Sequence, residues 1–543
     1  MPAPAAVPQQ PDDDKLGRDV LVVAGVVIVG VIMSILDTTI VNVALETLSR
    51  ELDSPLNTIQ WVTTGYLLTL ATVIPLTGWT SERFGAKRVY MTSVFLFGVG
   101  SALCGLALNA ESLIFFRILQ GFGGGMIMPV GMIIMAQIAG PHRVGRVMSV
   151  VGVPMLLGPI LGPVIGGLLV DNVAWQWIFY VNIPIVALGL FLANRYLTAD
   201  HGKADAGRFD WLGMALLSPG VAGIIFGLSE SESQGGFGHA IVLVPIVAGA
   251  LLIVAFIRHA LHAERPLLDV ALFKDKTIAA ASGATFLVGA SLFGAMIVLP
   301  LYYQVARGES ALDAGLLMAP QGIGAAMAMP IAGKLTDRVG GGRVAFVGLI
   351  IATLGTLPYV FVDADSAYGW LGGVLVIRGI GIGCTMMPAM AAAYAVLAPQ
   401  QIPRATSALN VIRQVGGSLG TAILAVVLQG NIRDALEGAA GPGGGAGGGG
   451  GESAMGRLPE DVRAQVAEPL AQAFGSTFWW AVAMTAIAIL PAAVLARHSR
   501  PRAQAAGGPG GAGGPGSRGP GAPDEAQDAA GAAPAEQVPA GRS

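Results

Sequence analysis

A single carboxylate is the first group in this chain that invites a chemical reading. Asp37 stands in LDTTIVNVAL (Leu36 to Leu45), and the run before it, Val20 to Leu36, holds no charged residue and is rich in Val, Ile and Gly. Placing an ionisable group inside such a span costs about 3 kcal/mol on insertion scales, so its presence there points to a use. Three more charges fall inside apolar runs: Arg117, Arg378 and Arg413. Asp37 lies ~12 Å before the outer end of its run and Arg117 ~9 Å after the start of a run in the opposite direction, at 1.5 Å per helical residue. The two are therefore expected to share a layer of the membrane. A carboxylate beside a guanidinium stays ionised until a change of access or an arriving substrate favours its protonation, which is what a proton-coupling site needs. The plainer alternative is an ion pair that only joins two helices. Arg378 reads as structural, and Arg413 either faces a central cavity or binds carbonyls and water.

Asn42, Gln60, Tyr66, Tyr302, Gln304 and Gln321 are the polar and aromatic candidates for a substrate cavity, with Met and Phe supplying adaptable apolar contacts. Each taken alone reads equally well as helix packing or as part of an interfacial aromatic belt. No second acid stands inside the C-terminal spans, so the expected substrates are neutral or singly charged amphipathic molecules, acidic ones included, rather than dications. Cys104 and Cys384 lie in apolar spans without CxxC spacing, so neither a metal site nor a disulfide is expected. The six histidines fall in loops or at helix ends, and neither an HExxH nor a Walker A pattern occurs. An enzyme and an ATP-driven pump are both disfavoured, no cofactor is expected, and nucleic-acid binding has no support.

The elements that must hold these residues are membrane helices. The 543 residues are 53% hydrophobic and only 12% charged, with a mean hydropathy of +0.66, against roughly 25% charged in soluble proteins. About 20 apolar residues cross a bilayer as a helix, and fourteen such runs can be marked: 20–43, 57–79, 88–108, 112–136, 145–170, 176–196, 211–229, 240–260, 277–304, 313–335, 343–362, 368–394, 405–429 and 474–496. The fold class is thus all-α and polytopic. Lys and Arg concentrate in the tails and alternate loops on the side of the N-terminus, and only Arg50, Arg307, Arg433, Arg457 and Arg463 lie in the opposite loops. The positive-inside rule then places both termini in the cytoplasm. Residues 1–19 and 503–543 read as disordered cytoplasmic tails. The long external loop 430–473 begins with the flexible run GAAGPGGGAGGGGG and continues into LPEDVRAQVAEPLAQAF, which reads as a short surface amphipathic helix or as a spacer.

An internal repeat orders these spans. At a shift of 255, Gly78, Glu82, Arg83, Gly85, Arg88 and Val89 match Gly333, Asp337, Arg338, Gly340, Arg343 and Val344. At a shift of 258, Arg146, Ser149, Gly158 and Gly162 match Arg404, Ser407, Gly416 and Gly420, and Gln120-Gly121 falls on Arg378-Gly379. A displacement of eight spans preserves direction, giving parallel six-helix halves at 20–196 and 277–496 around a two-helix insert at 197–262. In the twin loops, glycine permits a tight turn and the acid pairs near a helix end, so the loops are candidate conformational latches. In the fifth span Gly152, Gly158, Gly162, Gly166 and Gly167 allow close helix approach, while Pro154, Pro159 and Pro163 bend the helix, which suits a sliding interface. The position matching Asp37, near Leu292 at the 255 shift, holds no acid.

Over residues 20 to 500 the chain resembles the major facilitator superfamily in its fourteen-helix drug:proton antiporter branch (EmrB/QacA type). The resemblance rests on LDTTIVNVAL, GWTSERFGAKR, RILQGFGGG, GVPMLLGPILGPVIGG, WQWIFYVNIP and RATSALNVIRQVGGSLGTAI. Glu82 departs from it, since the family usually places Asp there, whereas the second loop keeps Asp337. The resemblance implies a proton-driven exporter of drugs, antibiotics or natural products in the plasma membrane, powered by the proton-motive force, with a monomer as the expected state. It makes Arg117 the helix 4 basic residue of proton coupling and the fifth-span run the antiporter signature. A transporter of the same fold working in uptake, or carrying lipids or siderophores, is the alternative.

Overall fold

The computed structural model describes residues 17–198, 202, 207–440 and 460–498. The expected tails, apart from a few residues that begin the first helix, and the Gly-rich part of the external loop lie outside them. Among the described residues there is no strand. The helices are α1 (Arg18–Glu51), α2 (Leu56–Val73), α3 (Leu76–Phe84), α4 (Ala86–Gly105), α5 (Ala110–Asn172), α6 (Trp177–Tyr180), α7 (Asn182–Tyr196), α8 (Trp211–Ser233), α9 (Ala240–His262), α10 (Lys276–Leu301), α11 (Ala311–Val339), α12 (Gly341–Thr356), α13 (Tyr368–Gly383), α14 (Met386–Tyr394), α15 (Ile402–Ala440) and α16 (Glu460–His498). Twelve described stretches are long and apolar enough to cross a membrane, and thirteen if α2 and α3, bent by 56° at the break, form one span. Pro75, which has no amide to donate, stands at that break.

The expected spans 112–136 and 145–170 both fall on α5. At 63 residues a straight helix would reach about 95 Å, three times the hydrocarbon thickness. Its contacts with α1 show that it doubles back. A methyl on Gly131 would meet Val27 Cγ1 at 2.7 Å, and Arg117, fourteen residues earlier, bonds to Asp37. Later in α5, Gly158, Gly162 and Gly166 abut Ile35, Thr39 and Ile40. The first part therefore runs antiparallel to α1 and the second parallel to it, with the reversal between Gly131 and Gly158.

Helix starts follow ordinary capping chemistry. Asn109 and Ser112 form a reciprocal capping box on α5, Asp210 caps α8 at the Gly213 amide, and Asp275 caps α10 at Thr277 and Ile278. The turns after the two repeated loops rest on Gly85 (φ 89°) and Gly340 (φ 93°). A side chain at either would be strained in this left-handed region.

Two expectations need correction. The first helix runs to Glu51, well past residue 43, carrying ETLSRE as further helical turns beyond the apolar stretch. The segment from Glu460 is no separate surface helix, because it continues into the last span as the single helix α16. In it Val466, Leu470 and Phe474 are buried, so apolar contacts at helical spacing hold the segment onto the bundle.

Packing sorts the helices into groups. α5 takes α1, α2 and α4 against it, with α7 on α1 and α4; α10 packs on α15 and α16, α11 on α13, and α12 on α13 and α16. The groups α1–α7 and α10–α16 meet where α5 touches α11 and α14 and where α15 touches α3 and α5. α8 and α9 pack on each other, and α8 reaches α2 and α15. Exposed Leu188, Phe191, Val244, Leu251, Ile331 and Leu490 belong on a lipid-facing surface, since water would not tolerate so continuous an apolar exterior.

Candidate functional site

Asp37 sits halfway along α1 with no exposed surface. Its Oδ2 accepts from Arg117 Nη1 at 2.6 Å, and its Oδ1 accepts from Gln120 Nε2 at 2.9 Å and from Asn182 Nδ2 at 3.0 Å. Arg117 and Gln120 lie three residues apart on α5 and so share one face. Arg117 Nη1 also donates to Gln120 Oε1 at 2.8 Å, and its Nε donates to the Val62 carbonyl at 3.2 Å. The guanidinium carbon stands 4.0 Å from the Tyr66 ring centroid, a cation–π contact that offsets the lack of a partner for Nη2. Asn182 opens α7 and also donates to Ser101 Oγ at 3.1 Å, whose hydroxyl donates to the Phe179 carbonyl at 2.9 Å. Four helices besides α1 thus supply the surroundings of one carboxylate.

Both carboxylate oxygens accept from N–H donors and a cation is in contact, so the buried charges are matched within the cluster. Removing either member of a buried pair leaves the other charge uncompensated, at about 3–5 kcal/mol. Gln120 entered the sequence reading only through the repeat and Asn182 only through WQWIFYVNIP. The available signal was modest: an amide one helical turn from an arginine, and a lone Asn in an apolar run.

The other cavity candidates do not converge on one space. Tyr66 belongs to the Asp37 cluster. Asn42 is exposed and accepts from Thr63 Oγ1 at 3.2 Å; five residues from Asp37, it points about 140° away at 100° per residue. Gln60 is also exposed, and Gln304 is half-buried in the π-helical turn after α10. Tyr302 lies inside the α10–α16 packing, its hydroxyl donating to the Asp363 carbonyl at 2.9 Å and its ring edge-on to Phe474. Gln321 is bonded to Arg378 within the C-terminal group. Arg413 is buried between the groups: its Nη2 donates to Asn410 Oδ1 at 2.9 Å and contacts Met128 Sδ at 3.1 Å, while Nε and Nη1 are buried without partners.

The repeated loops meet across the groups in a reciprocal pattern. Glu82 on α3 accepts from Arg404 on α15 at 3.0 and 3.2 Å. Its repeat partner Asp337 on α11 accepts from Arg146 Nε at 2.8 Å and from the Gly145 amide at 2.9 Å, both on α5. Arg146 and Arg404 are themselves repeat partners, so each acid binds the arginine of the other group. Glycine permits both crossings: a methyl on Gly78 would lie 3.0 Å from Arg404 Cα, and one on Gly333 would lie 2.9 Å from Arg146 Cα. Ser407 adds bonds to Thr77 Oγ1 at 2.5 Å and to the Ile74 carbonyl at 2.7 Å. Arg83, Arg88, Arg338 and Arg343 are exposed around these contacts. All of this lies at the face where α1 begins, where the two acid–arginine pairs join the groups.

Along the fifth-span motif, Gly158, Gly162 and Gly166 face α1, whereas Gly152 faces the other group, where a methyl would lie 2.9 Å from Met387 Cγ and 3.0 Å from Met329 Cε. Gly167 has open space beside it. The side chains of Pro154, Pro159 and Pro163 lie outside the described residues. The glycine contacts also refine the repeat. Gly158 and Gly162 abut Ile35 and Thr39, and their partners Gly416 and Gly420 abut Phe286 and Ala290. The residue standing where Asp37 stands is therefore Val288, one helical turn before the expected Leu292.

Fold and site together define a polytopic helical carrier in which one of two helix groups holds a buried ion pair and the groups meet through reciprocal acid–arginine contacts. The chain belongs to the Major Facilitator Superfamily, whose family profile matches residues 27–421. It is a membrane transporter and not an enzyme. A "Multidrug resistance protein B homolog" of Mycobacterium tuberculosis is 40% identical over 497 residues, 89% of this chain and 91% of that protein. The "Lincomycin resistance protein LmrB" of Listeria innocua is 28% identical over 426 residues, 78% of this chain and 90% of that one. Among solved structures, a human organic anion transporter aligns with a TM-score of 0.55 at 13% identity, over 88% of this chain and 100% of that one. The proton:xylose symporter XylE aligns with a TM-score of 0.55 at 15% identity, over 87% and 94%. These two likenesses carry the fold alone.

Proposed function

We propose that this chain is a proton-coupled exporter of hydrophobic or amphipathic drugs, antibiotics or natural products, of the fourteen-helix drug:proton antiporter type, in the plasma membrane with both termini cytoplasmic. The observation that carries the reading is Asp37, wholly buried and held by Arg117, Gln120 and Asn182 in a carrier of this family. The names of the multidrug and lincomycin resistance relatives support the substrate class.

In the latched state Asp37 is a carboxylate bound to Arg117. Protonation removes the ionic attraction and converts one acceptor oxygen into a donor, so Arg117 is left with its bonds to Gln120 and the Val62 carbonyl. α1 is then released from the first part of α5 while its contacts along Gly158, Gly162 and Gly166 stay smooth enough to slide. The Glu82–Arg404 and Asp337–Arg146 pairs hold the cytoplasmic face closed in one state and part in the other. Protons enter Asp37 from outside and leave to the cytoplasm, and substrate moves the opposite way. Between the groups, Arg413 offers two unpartnered nitrogens beside Met128 and Met132, favouring a molecule that is apolar over most of its surface and carries an acceptor or one negative charge.

The test is efflux of a substrate panel from a sensitised host expressing the chain, with and without a proton uncoupler. Export that stops on uncoupling supports the reading. Uptake of the same compounds along the proton gradient would favour the alternative of an importer, and uncoupler-insensitive export would exclude proton drive.

A further inference from the structure

The C-terminal group contains the structural counterpart of the Asp37 site, and its charge balance does not close. Val288 stands where Asp37 stands, and Arg378 where Gln120 stands. The correspondence is physical: a methyl on Gly100 would meet Gln120 Cα at 2.5 Å, and one on Gly355, its repeat partner, would meet Arg378 Cα at 2.7 Å. Arg378 is 2% exposed; its Nε donates to Thr356 Oγ1 at 3.2 Å and its Nη1 donates to Gln321 Oε1, while Nη2 has no hydrogen bond among the described residues. No ion pair joins Arg378 or Arg413 to an acid among the described residues, and no Asp or Glu lies in the interior of the spans of this group. A buried guanidinium without a counter-charge is strongly unfavourable.

A cavity opens at this place. Val288, Ser291, Thr356, Arg378, Thr385 and Thr485 line it together with apolar side chains, and a water-sized sphere can move its centre through ≈ 20 Å³. About 10–15 Å³ of such space admits one water, so the cavity suits a species of one heavy atom and excludes a drug. The hydroxyl protons of Thr356, Thr385 and Thr485 are directed to the Ala352, Gly381 and Ala481 carbonyls. With its own proton on Ala481, Thr485 Oγ1 accepts from the Ser291 hydroxyl at 3.3 Å. The hydroxyl protons around the space are thus spoken for, and the charged group lining it is the Arg378 guanidinium. Cationic donors, little room and no acid define a site for a small monovalent anion.

We propose that a halide ion, chloride in the cell, occupies the cavity beside Arg378 and supplies the negative charge that Asp37 supplies covalently in the N-terminal group. The proposal is independent of the direction and substrate of transport. It is tested on the purified full-length chain by equilibrium binding of radiolabelled chloride, and by the melting midpoint as chloride replaces gluconate at constant ionic strength. The expected result is saturable binding of one chloride per chain with a midpoint that rises with chloride and levels off. Arg378→Gln should lose both, while Arg413→Gln should keep them. Val288→Asp puts the carboxylate into the cavity, and should abolish chloride binding and give a midpoint that no longer differs between the two salts. This variant keeps the test decisive where Arg378→Gln fails to fold. A chain that binds no chloride and melts identically in both salts holds only water there, and the proposal fails. It also fails if Val288→Asp binds chloride undiminished, or if Arg413→Gln rather than Arg378→Gln removes the binding.

Discussion

The two groups of helices repeat one backbone plan and differ most in what they bury at one level. In the N-terminal group Asp37 meets Arg117, Gln120 and Asn182, and acid and base neutralise each other in contact. In the C-terminal group the same positions hold Val288 and Arg378, a cation beside a small cavity with no acid. Backbone pseudo-symmetry therefore does not extend to charge. One group buries an acid in contact with its counter-charge, and the other buries a guanidinium with no acid beside it among the described residues.

The largest expected effect comes from removing the cation of the N-terminal pair. Arg117→Met leaves Asp37 buried without its counter-charge and should destabilise the fold by about 3–5 kcal/mol. Arg117→Met with Asp37→Asn should recover most of that loss, because no isolated charge then remains. Thermal melts of the three variants check this, and additive losses would contradict the pairing.

The latches offer a second contrast. Both pairs are partly solvated, with side-chain exposures of 16% and 14% for Arg404–Glu82 and 11% and 9% for Arg146–Asp337. Each is worth about 1 kcal/mol or less, and the Asp337 pair is the less solvated of the two. Asp337→Asn should therefore shift the equilibrium away from the latched state more than Glu82→Gln, and either should slow turnover more than it weakens substrate binding. Accessibility labelling of a cysteine placed at the latched face, together with transport kinetics, checks the order. Equal effects would show the two contacts to be equivalent despite their different solvation.

Glycines give the smallest and cleanest comparison. Gly162→Ala would drive its methyl into Thr39 and should cost about 1–3 kcal/mol through overpacking, with slowed transport. Gly167→Ala, with open space beside it, should be neutral within about 0.5 kcal/mol or slightly stabilising. Similar behaviour of both variants would remove the case for a close-packed sliding face along α1.

The apolar runs and the repeat were readable from the sequence because hydropathy and spacing act locally. Asp37 and Arg117 could be placed in one layer because depth along a helix is simple arithmetic. What spacing along the chain could not supply was facing. Asn42 and Gln60 are exposed, and Tyr302 turns into its own group's packing. Gln120 and Asn182 carry no charge to mark them, and only the assembled bundle brings α5 and α7 to the same carboxylate. The cross-pairing of Glu82 with Arg404 and of Asp337 with Arg146 was similarly hidden: the repeat names equivalent residues and says nothing of which group each one touches. The extension of α16 back to Glu460 was masked by its charged residues and Pro469, which suggest a break until burial of Val466 and Leu470 is seen.

The central claim is that Asp37 is the group whose protonation is exchanged for substrate. Its most direct test is proton release on substrate addition, followed with a pH indicator on the purified chain in weak buffer. The account predicts a substrate-dependent release from the parent protein that vanishes in Asp37→Asn, while Asp37→Asn still binds substrate. Undiminished proton release from Asp37→Asn would contradict it.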